Sequence, residues 1–218
     1  MGKLRADPRR VASVTLADFL NPEAIVTGLG TVGVVVTLFI EVGLLVGIVL
    51  PGDSLLFVAG LAAGTDALGF QLSLTSLLIF CPIAAFLGSE LGYYIGIRYG
   101  RSLFNRPDGR FFNQERVRYA EHWFNRYGPG KAIIFGRYVP IVRTLMSPLA
   151  GILKMDKKRF TFWNALSAVI WTSSILVVGY LLGERVSGSI DKYLIPIVGV
   201  LIILSLIPII RELIKKKK

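Results

Sequence analysis

The chain has 218 residues, of which 53% are hydrophobic, and its mean hydropathy is +0.62. The apolar residues are gathered into long runs, which places the chain among integral membrane proteins rather than soluble domains. The net charge is +11, but the Lys and Arg residues lie almost wholly between or beyond the apolar runs. This distribution favours a membrane-topology signal and argues against nucleic acid as a partner.

The single cysteine and the single histidine restrict the chemistry. Cys81 stands alone inside an apolar run, so the sequence supports neither an intramolecular disulfide nor a thiolate metal site. His122 lies in a polar stretch, and one histidine excludes zinc sites of several histidines and phosphatase mechanisms that need two. We therefore predict a protein without metal or cofactor that is not an enzyme.

Four apolar stretches are long enough to cross a bilayer, which takes about 20 helical residues. They are residues 30–50, 72–97, 160–182 and 194–210. Two further stretches fit poorly as spans. Residues 54–63 are too few. Residues 132–153 contain two arginines and two prolines, and each central Arg would cost roughly 3 kcal/mol in a span that faces lipid.

The basic segments indicate how these two stretches lie. If both enter the membrane and turn back, from opposite sides, every strongly basic segment falls in the cytoplasm. The predicted fold is therefore an all-α integral membrane protein with four spanning helices plus two opposed re-entrant hairpins. We predict a multi-pass protein of the plasma membrane with both termini in the cytoplasm.

An internal repeat supports an inverted arrangement of the two halves, a known plan of transporters. The first series is Pro51-Gly52-Asp53, Ala59-Gly60 and residues 92–96, and the second is residues 140–143, Ala150-Gly151 and residues 179–183.

Three segments are predicted along the chain. Residues 1–29 form an N-terminal cytoplasmic or interfacial segment, in which no removable signal peptide is evident. Residues 30–183 form the membrane domain, with a cytoplasmic loop at 98–131. Residues 184–218 add a spanning helix and a basic tail. Within the loop, residues 111–127 are predicted to form an amphipathic helix on the membrane surface.

Two acidic residues lie in apolar surroundings. Glu41 is deep in the first predicted span, so it must be protonated, paired with a cation or turned towards a wet cavity. Asp53 follows Pro51 and Gly52, which break the helix and shape the first hairpin. A helix N-cap is the alternative role for Asp53.

Two arginines bracket Pro140, which together with Pro148 is predicted to shape the second hairpin. Arg137 and Arg143 each offer a planar fork of donors, and two such groups near a helix terminus suit a phosphate. Their alternative role is to pair with Glu41 and Asp53 and hold the hairpins together. The two roles are compatible, because a salt bridge that opens on protonation releases an Arg for an anion.

These motifs, taken together, resemble the DedA family of membrane proteins, related to the SNARE-associated or VTT-domain group. The resemblance covers most of residues 30–183. It rests on Glu41-x-Gly43, Pro51-Gly52-Asp53, the glycines at 88–100 with Tyr93, Gly136-Arg137-Tyr138-x-Pro140-x-x-Arg143, Ala150-Gly151, Asn164, Trp171 and Gly179-Tyr180-x-x-Gly183.

The resemblance implies opposed re-entrant hairpins and lipid transport driven by the proton-motive force, of undecaprenyl phosphate or of phospholipids. It also implies an acidic pair at Glu41 and Asp53 and an arginine pair at Arg137 and Arg143. The chain departs from the expected pattern after Gly88 and after Gly96. Ser89-Glu90 stands where an Asp is expected, and Ile97-Arg98 where an Arg is expected, so the roles of Glu90 and Arg98 stay open.

The sequence thus predicts a lipid flippase whose partners are phosphate-bearing membrane lipids and protons. Arg137 and Arg143 bind the headgroup, and Glu41 and Asp53 exchange protons. Homo-oligomers are compatible with this prediction. One alternative is a scaffold for membrane trafficking or division partners, in which the buried charges are structural. A lipid-phosphate enzyme is the weaker alternative, because the sequence offers no nucleophile with a base and no paired-Asp metal motif.

Overall fold

The computed structural model describes residues 22–44, 52–65, 71–104 and 114–186. Within these ranges the chain forms seven helices and no strand, which confirms the all-α prediction. The helices are α1 Pro22–Gly43, α2 Gly52–Gly64, α3 Leu74–Phe104, α4 Gln114–Tyr127, α5 Pro129–Gly136, α6 Pro140–Ile152 and α7 Lys157–Val186.

In the part of the chain that the structure describes, two helices are long and apolar enough to cross a membrane, Leu74–Gly100 within α3 and Lys157–Arg185 within α7. Both also expose large apolar side chains, including Phe80 and Ile83 on α3 and Phe162 and Val169 on α7. Such surfaces suit lipid contact better than water. The second and third predicted spans therefore correspond to helices.

The helix bounds differ from the predicted ones. Helix α3 continues to Phe104, into the predicted loop, and α7 begins at Lys157, because basic residues extend a helix into water without ending it. Helix α1 begins at Pro22 and is kinked at Gly30, where φ is 57°. The predicted amphipathic segment contains α4. The predicted fourth span, 194–210, lies outside the described residues.

The two short apolar stretches form helices too short to span. Helix α2 is buried along almost its whole length. The second stretch forms two helices: α5 ends at Gly136, and α6 begins at Pro140. Proline has a fixed φ and no N–H, so it suits the first turn of a new helix. The arginine at 137 therefore lies in the turn between α5 and α6.

Glycines bring α2 directly against α7. A Cβ on Gly60 would overlap the carbonyl oxygen of Leu176, and a Cβ on Gly179 would overlap that of Phe57. Backbone groups cannot move aside as a flexible side chain can. Only glycine therefore allows this spacing of the two helices.

Helix α6 packs against α3 in the same manner. A Cβ on Gly96 would overlap the carbonyl oxygen of Pro148, and a Cβ on Gly151 would overlap that of Tyr93. The predicted repeat matches Gly60 with Gly151 and residues 92–96 with 179–183. The short helix of each half therefore packs on the long helix of the other half. We call this arrangement the reciprocal packing.

Candidate functional site

An arginine lies between two carboxylates where α1, α2 and α6 meet. Arg143 donates from Nη2 to Glu41 Oε1 at 2.8 Å and from Nη1 to Asp53 Oδ1 at 2.6 Å. The Glu41 side chain is fully buried and that of Arg143 is 6% exposed, whereas the Asp53 side chain is 41% exposed. We call these three residues the charge cluster. Of the two predicted arginines, Arg143 thus makes the pairing with Glu41 and Asp53 that was the alternative role.

Local structure brings the charge cluster together. Glu41 is in the last turn of α1, and its carboxylate lies against the backbone of Gly52, the first residue of α2. Asp53 and Arg143 lie in the first turns of α2 and α6. Two helix N-termini therefore converge here, and their partial positive charges favour an anion at this point.

The indole of Trp171 on α7 joins the charge cluster to the second arginine. Its Nε1 donates to Asp53 Oδ1 at 3.0 Å. The guanidinium carbons of Arg143 and Arg137 lie 4.8 and 5.6 Å from the indole centroid. In the sequence this residue is one of the motif positions and has no assigned role. In the structure it holds a carboxylate and provides a cation–π surface between two arginines.

Arg137 is buried and bonded only to neutral groups among the described residues. Its Nε donates to Ser167 Oγ at 2.8 Å, and its Nη2 donates to Ser89 Oγ at 2.9 Å and to Asn164 Oδ1 at 2.6 Å. Its Nη1 has no hydrogen-bond partner in the part of the chain that the structure describes. Arg137 is 4% exposed, so this is a buried donor without an acceptor.

A small cavity lies beside both arginines, and we call it the arginine cavity. Its lining includes Arg137, Arg143, Ser89, Asn164 and Phe160. The cavity therefore lies between an arginine with two carboxylate partners and one whose partners among the described residues are all neutral. The space is small, so a phosphate group would enter it only after the lining side chains move apart, and it would then be within reach of both guanidinium groups.

The structure distributes the other predicted site residues more widely. Pro140 begins α6, and Pro148 lies inside that helix with its carbonyl against α3, so its contact is one of helix packing. Glu90 pairs with Lys157 and accepts from Asn164, whereas Arg98 is exposed on α3. Pro51 lies outside the described residues.

Sequence reasoning missed the neutral partners of the buried arginine. Asn164, Ser167 and Trp171 recur on α7 at a spacing of three and four residues, which places them on one helix face. This row of polar residues in an otherwise apolar helix was the sequence feature that could have indicated the partners of Arg137. Ser89 on α3 offered none, because a single serine is common in membrane helices.

The fit of Gly52 against Glu41 gives a first prediction. A Cβ at position 52 would overlap the Glu41 carboxylate, so we expect Gly52→Ala to lower stability by about 1–3 kcal/mol. In a Glu41→Ala background the overlap is gone, and the same change should cost much less. Unfolding of the four proteins in detergent measures this coupling. Equal costs in both backgrounds would contradict the contact.

Comparison with known proteins agrees with this architecture. The VTT domain family matches residues 50–181. Protein DedA of Escherichia coli K12 is 34% identical over 181 residues, which cover 83% of this chain and 80% of that protein. An uncharacterized membrane protein of Mycobacterium leprae is 30% identical over 191 residues, covering 87% of this chain and 83% of its own.

Inner membrane protein YqjA of Escherichia coli K12 is 32% identical over 152 residues, covering 68% of this chain and 66% of that protein. No solved structure matches the chain. The matched region of the VTT domain contains Asp53, Arg137 and Arg143. With its buried charges and apolar helices, this chain belongs to the DedA family of VTT-domain membrane proteins.

Proposed function

We propose that the protein is a flippase, which moves phosphate-bearing lipids across the membrane and couples this movement to protons. The substrate is a polyprenyl phosphate, such as undecaprenyl phosphate, or a phospholipid. One observation supports this proposal above the others. Arg143 has two carboxylate partners, whereas Arg137 beside it has neutral partners and a free Nη1 in the described part of the chain.

Charge balance couples the proton to the anion. With both carboxylates ionised, the charge cluster satisfies Arg143, and the site offers an anion only Arg137. A proton on Asp53 weakens its bond to Arg143 Nη1, so that this donor becomes available. The net charge of the charge cluster then changes from −1 to 0, and with Arg137 the site is positive overall, so a phosphate group can replace the lost carboxylate.

The two carboxylates have different access to solvent. The Asp53 side chain is 41% exposed, whereas Glu41 is sealed between Arg143 and Gly52. We therefore propose that protons from solvent enter the charge cluster by way of Asp53. Glu41 keeps Arg143 in place while the bond between Arg143 and Asp53 is broken.

The proposed membrane arrangement follows from the short helices. Helix α2, and α5 with α6, would form two re-entrant hairpins that enter from opposite faces, as an inverted repeat. In this arrangement their tips would meet at the charge cluster, so both faces of the membrane would have a path to it. Lipid tails would remain against the apolar outer surfaces of α3 and α7, while the headgroup passes inside.

Reconstituted vesicles provide the test. We expect wild-type protein to move phosphatidic acid or a polyprenyl phosphate faster when a pH gradient is imposed. Asp53→Asn and Glu41→Gln remove the proton-binding groups, so movement should lose its dependence on the gradient. Glu184→Gln, an exposed acidic residue at the end of α7, is the matched control and should behave as wild type.

The outcomes separate transport from a scaffold role. Loss of gradient dependence in folded Asp53→Asn supports proton coupling through Asp53. Normal gradient dependence in both variants would contradict proton coupling through the charge cluster. If well-folded wild-type protein moves neither lipid, the scaffold alternative replaces the proposal.

A further inference from the structure

A second ion pair lies at the start of α7, away from the charge cluster. Lys157 Nζ donates to Glu90 Oε2 of α3, and the Lys157 side chain is 39% exposed against 14% for Glu90. The ammonium also lies 4.3 and 4.8 Å from the ring centroids of Tyr94 and Tyr93. An ammonium has three donors, so one carboxylate does not exhaust it.

A single amide connects this pair to the buried arginine. Asn164 Nδ2 donates to Glu90 Oε1 at 3.0 Å, and Asn164 Oδ1 accepts from Arg137 Nη2 at 2.6 Å. The carboxylate can only accept and the guanidinium can only donate, so the amide has one orientation that serves both. A change at the Glu90–Lys157 pair therefore acts on the partners of Arg137.

Polar residues of the two sites, with Phe160 among them, lie on one face of α7. This face follows a spacing of three and four residues and comprises Lys157, Phe160, Asn164, Ser167 and Trp171. From its first residue to its last it is about 21 Å long, at about 1.5 Å per residue. That length exceeds half of a hydrocarbon core of about 30 Å. The face thus leads from the half-exposed lysine to the charge cluster.

One aromatic ring separates the lysine from the arginine cavity. Phe160 is 1% exposed and lines that cavity. Its ring stacks on Tyr93 with centroids 4.5 Å apart, and its centroid lies 5.9 Å from Lys157 Nζ. Rotation of this ring would join the space around the lysine to the space around Arg137.

We propose that Lys157 is an outer binding station for the phosphate headgroup, from which the headgroup passes Phe160 to reach Arg137. This inference rests on the proposed function and extends its site by a binding residue and a route. The headgroup replaces Glu90 at the lysine. Glu90 keeps its bond from Asn164, which holds the arginine ready at the inner end of the route.

Thiol labelling tests the route. Ser89, which is buried at the arginine cavity, is changed to Cys in a Cys81→Ala background, where it is the only thiol. A sulfonate and a trimethylammonium methanethiosulfonate are then compared. Glu90→Gln frees the lysine, so we expect the anionic reagent to react about tenfold faster. Lys157→Gln should lower the preference for the anionic reagent to what Arg137 alone provides, and Lys157→Arg should retain it.

Lys158→Gln is the matched control, because it removes the same charge from the next residue, which is exposed. It should leave the labelling rates unchanged. Phosphatidic acid in phosphatidylcholine vesicles should slow labelling in the parent protein but not in Lys157→Gln. If Glu90→Gln and Lys157→Gln change the labelling rates of both reagents equally, Lys157 is not a binding station. A purely structural ion pair predicts that result.

Labelling needs no translocation, so the two proposals fail in different ways. Gradient-dependent transport with labelling that is insensitive to Lys157 overturns the outer station and leaves the proposed function. Labelling that depends on Lys157, in a protein that moves no lipid, overturns the proposed function and supports anion binding at the station.

Discussion

Arg143→Ala is expected to abolish lipid movement and to destabilise the protein by about 3–5 kcal/mol, since it leaves two carboxylates without their cation. The loss of the cation costs more at Glu41 than at Asp53, because the Glu41 side chain is fully buried and lies 2.8 Å from Arg143. Unfolding in detergent measures the stability, and vesicle transport measures the function. Arg159→Ala, at an exposed arginine of α7, is the control and should affect neither.

A triple variant separates the structural role of the charge cluster from its proposed function. Glu41→Gln, Asp53→Asn and Arg143→Gln together remove every charge of the cluster, and no ion is left unpaired. We expect most of the lost stability to return, because neutral replacement of a buried ion pair often costs little. Transport should remain absent. An Arg143→Ala protein with normal stability and transport would contradict both roles.

Gly179→Val is expected to have the second large effect, a destabilisation of about 2–3 kcal/mol with loss of transport. The new side chain would overlap the carbonyl oxygen of Phe57 and approach the amide of Leu61, so α2 must move away from α7. Asp53 moves with α2, and its bonds to Arg143 and Trp171 are then lost.

The control for this substitution adds the same side chain elsewhere on the helix. Ala165→Val places the bulk at an exposed position of α7 and should leave unfolding and transport as in the wild type. If Gly179→Val unfolds at the same temperature as Ala165→Val, close packing of α2 on α7 is not needed for stability. The reciprocal packing would then not be what positions Asp53 in the charge cluster.

The charge cluster was predictable because ionisable residues in apolar segments are rare and expensive. Glu41, Asp53, Arg137 and Arg143 each stood out for that reason. Their pairing was one of two predicted roles, but which arginine meets the carboxylates was not predictable, since that depends on the depth at which α6 begins. The sequence pattern gives the position of Pro140 in the chain but not its depth beside α1 and α2.

The neutral part of the site was harder to predict. Asn164 and Trp171 appear in the sequence as members of a motif, but their side chains are compatible with packing, capping or a membrane belt. Only the fold shows that both lie between charged groups. The predicted helix bounds were wrong for a related reason: residues 98–104 contain two arginines, and charged residues mark where a membrane ends more directly than where a helix ends.

The charge cluster also has a consequence for biosynthesis. Its carboxylates lie 90 and 102 residues before their arginine in the chain. At about 5–20 residues per second, the ribosome adds that arginine about 5 to 20 seconds after the acidic residues. During this interval the first helices hold two carboxyl groups with no partner. Until the second half arrives, each of these carboxyl groups must therefore be protonated or hydrated wherever its helix lies.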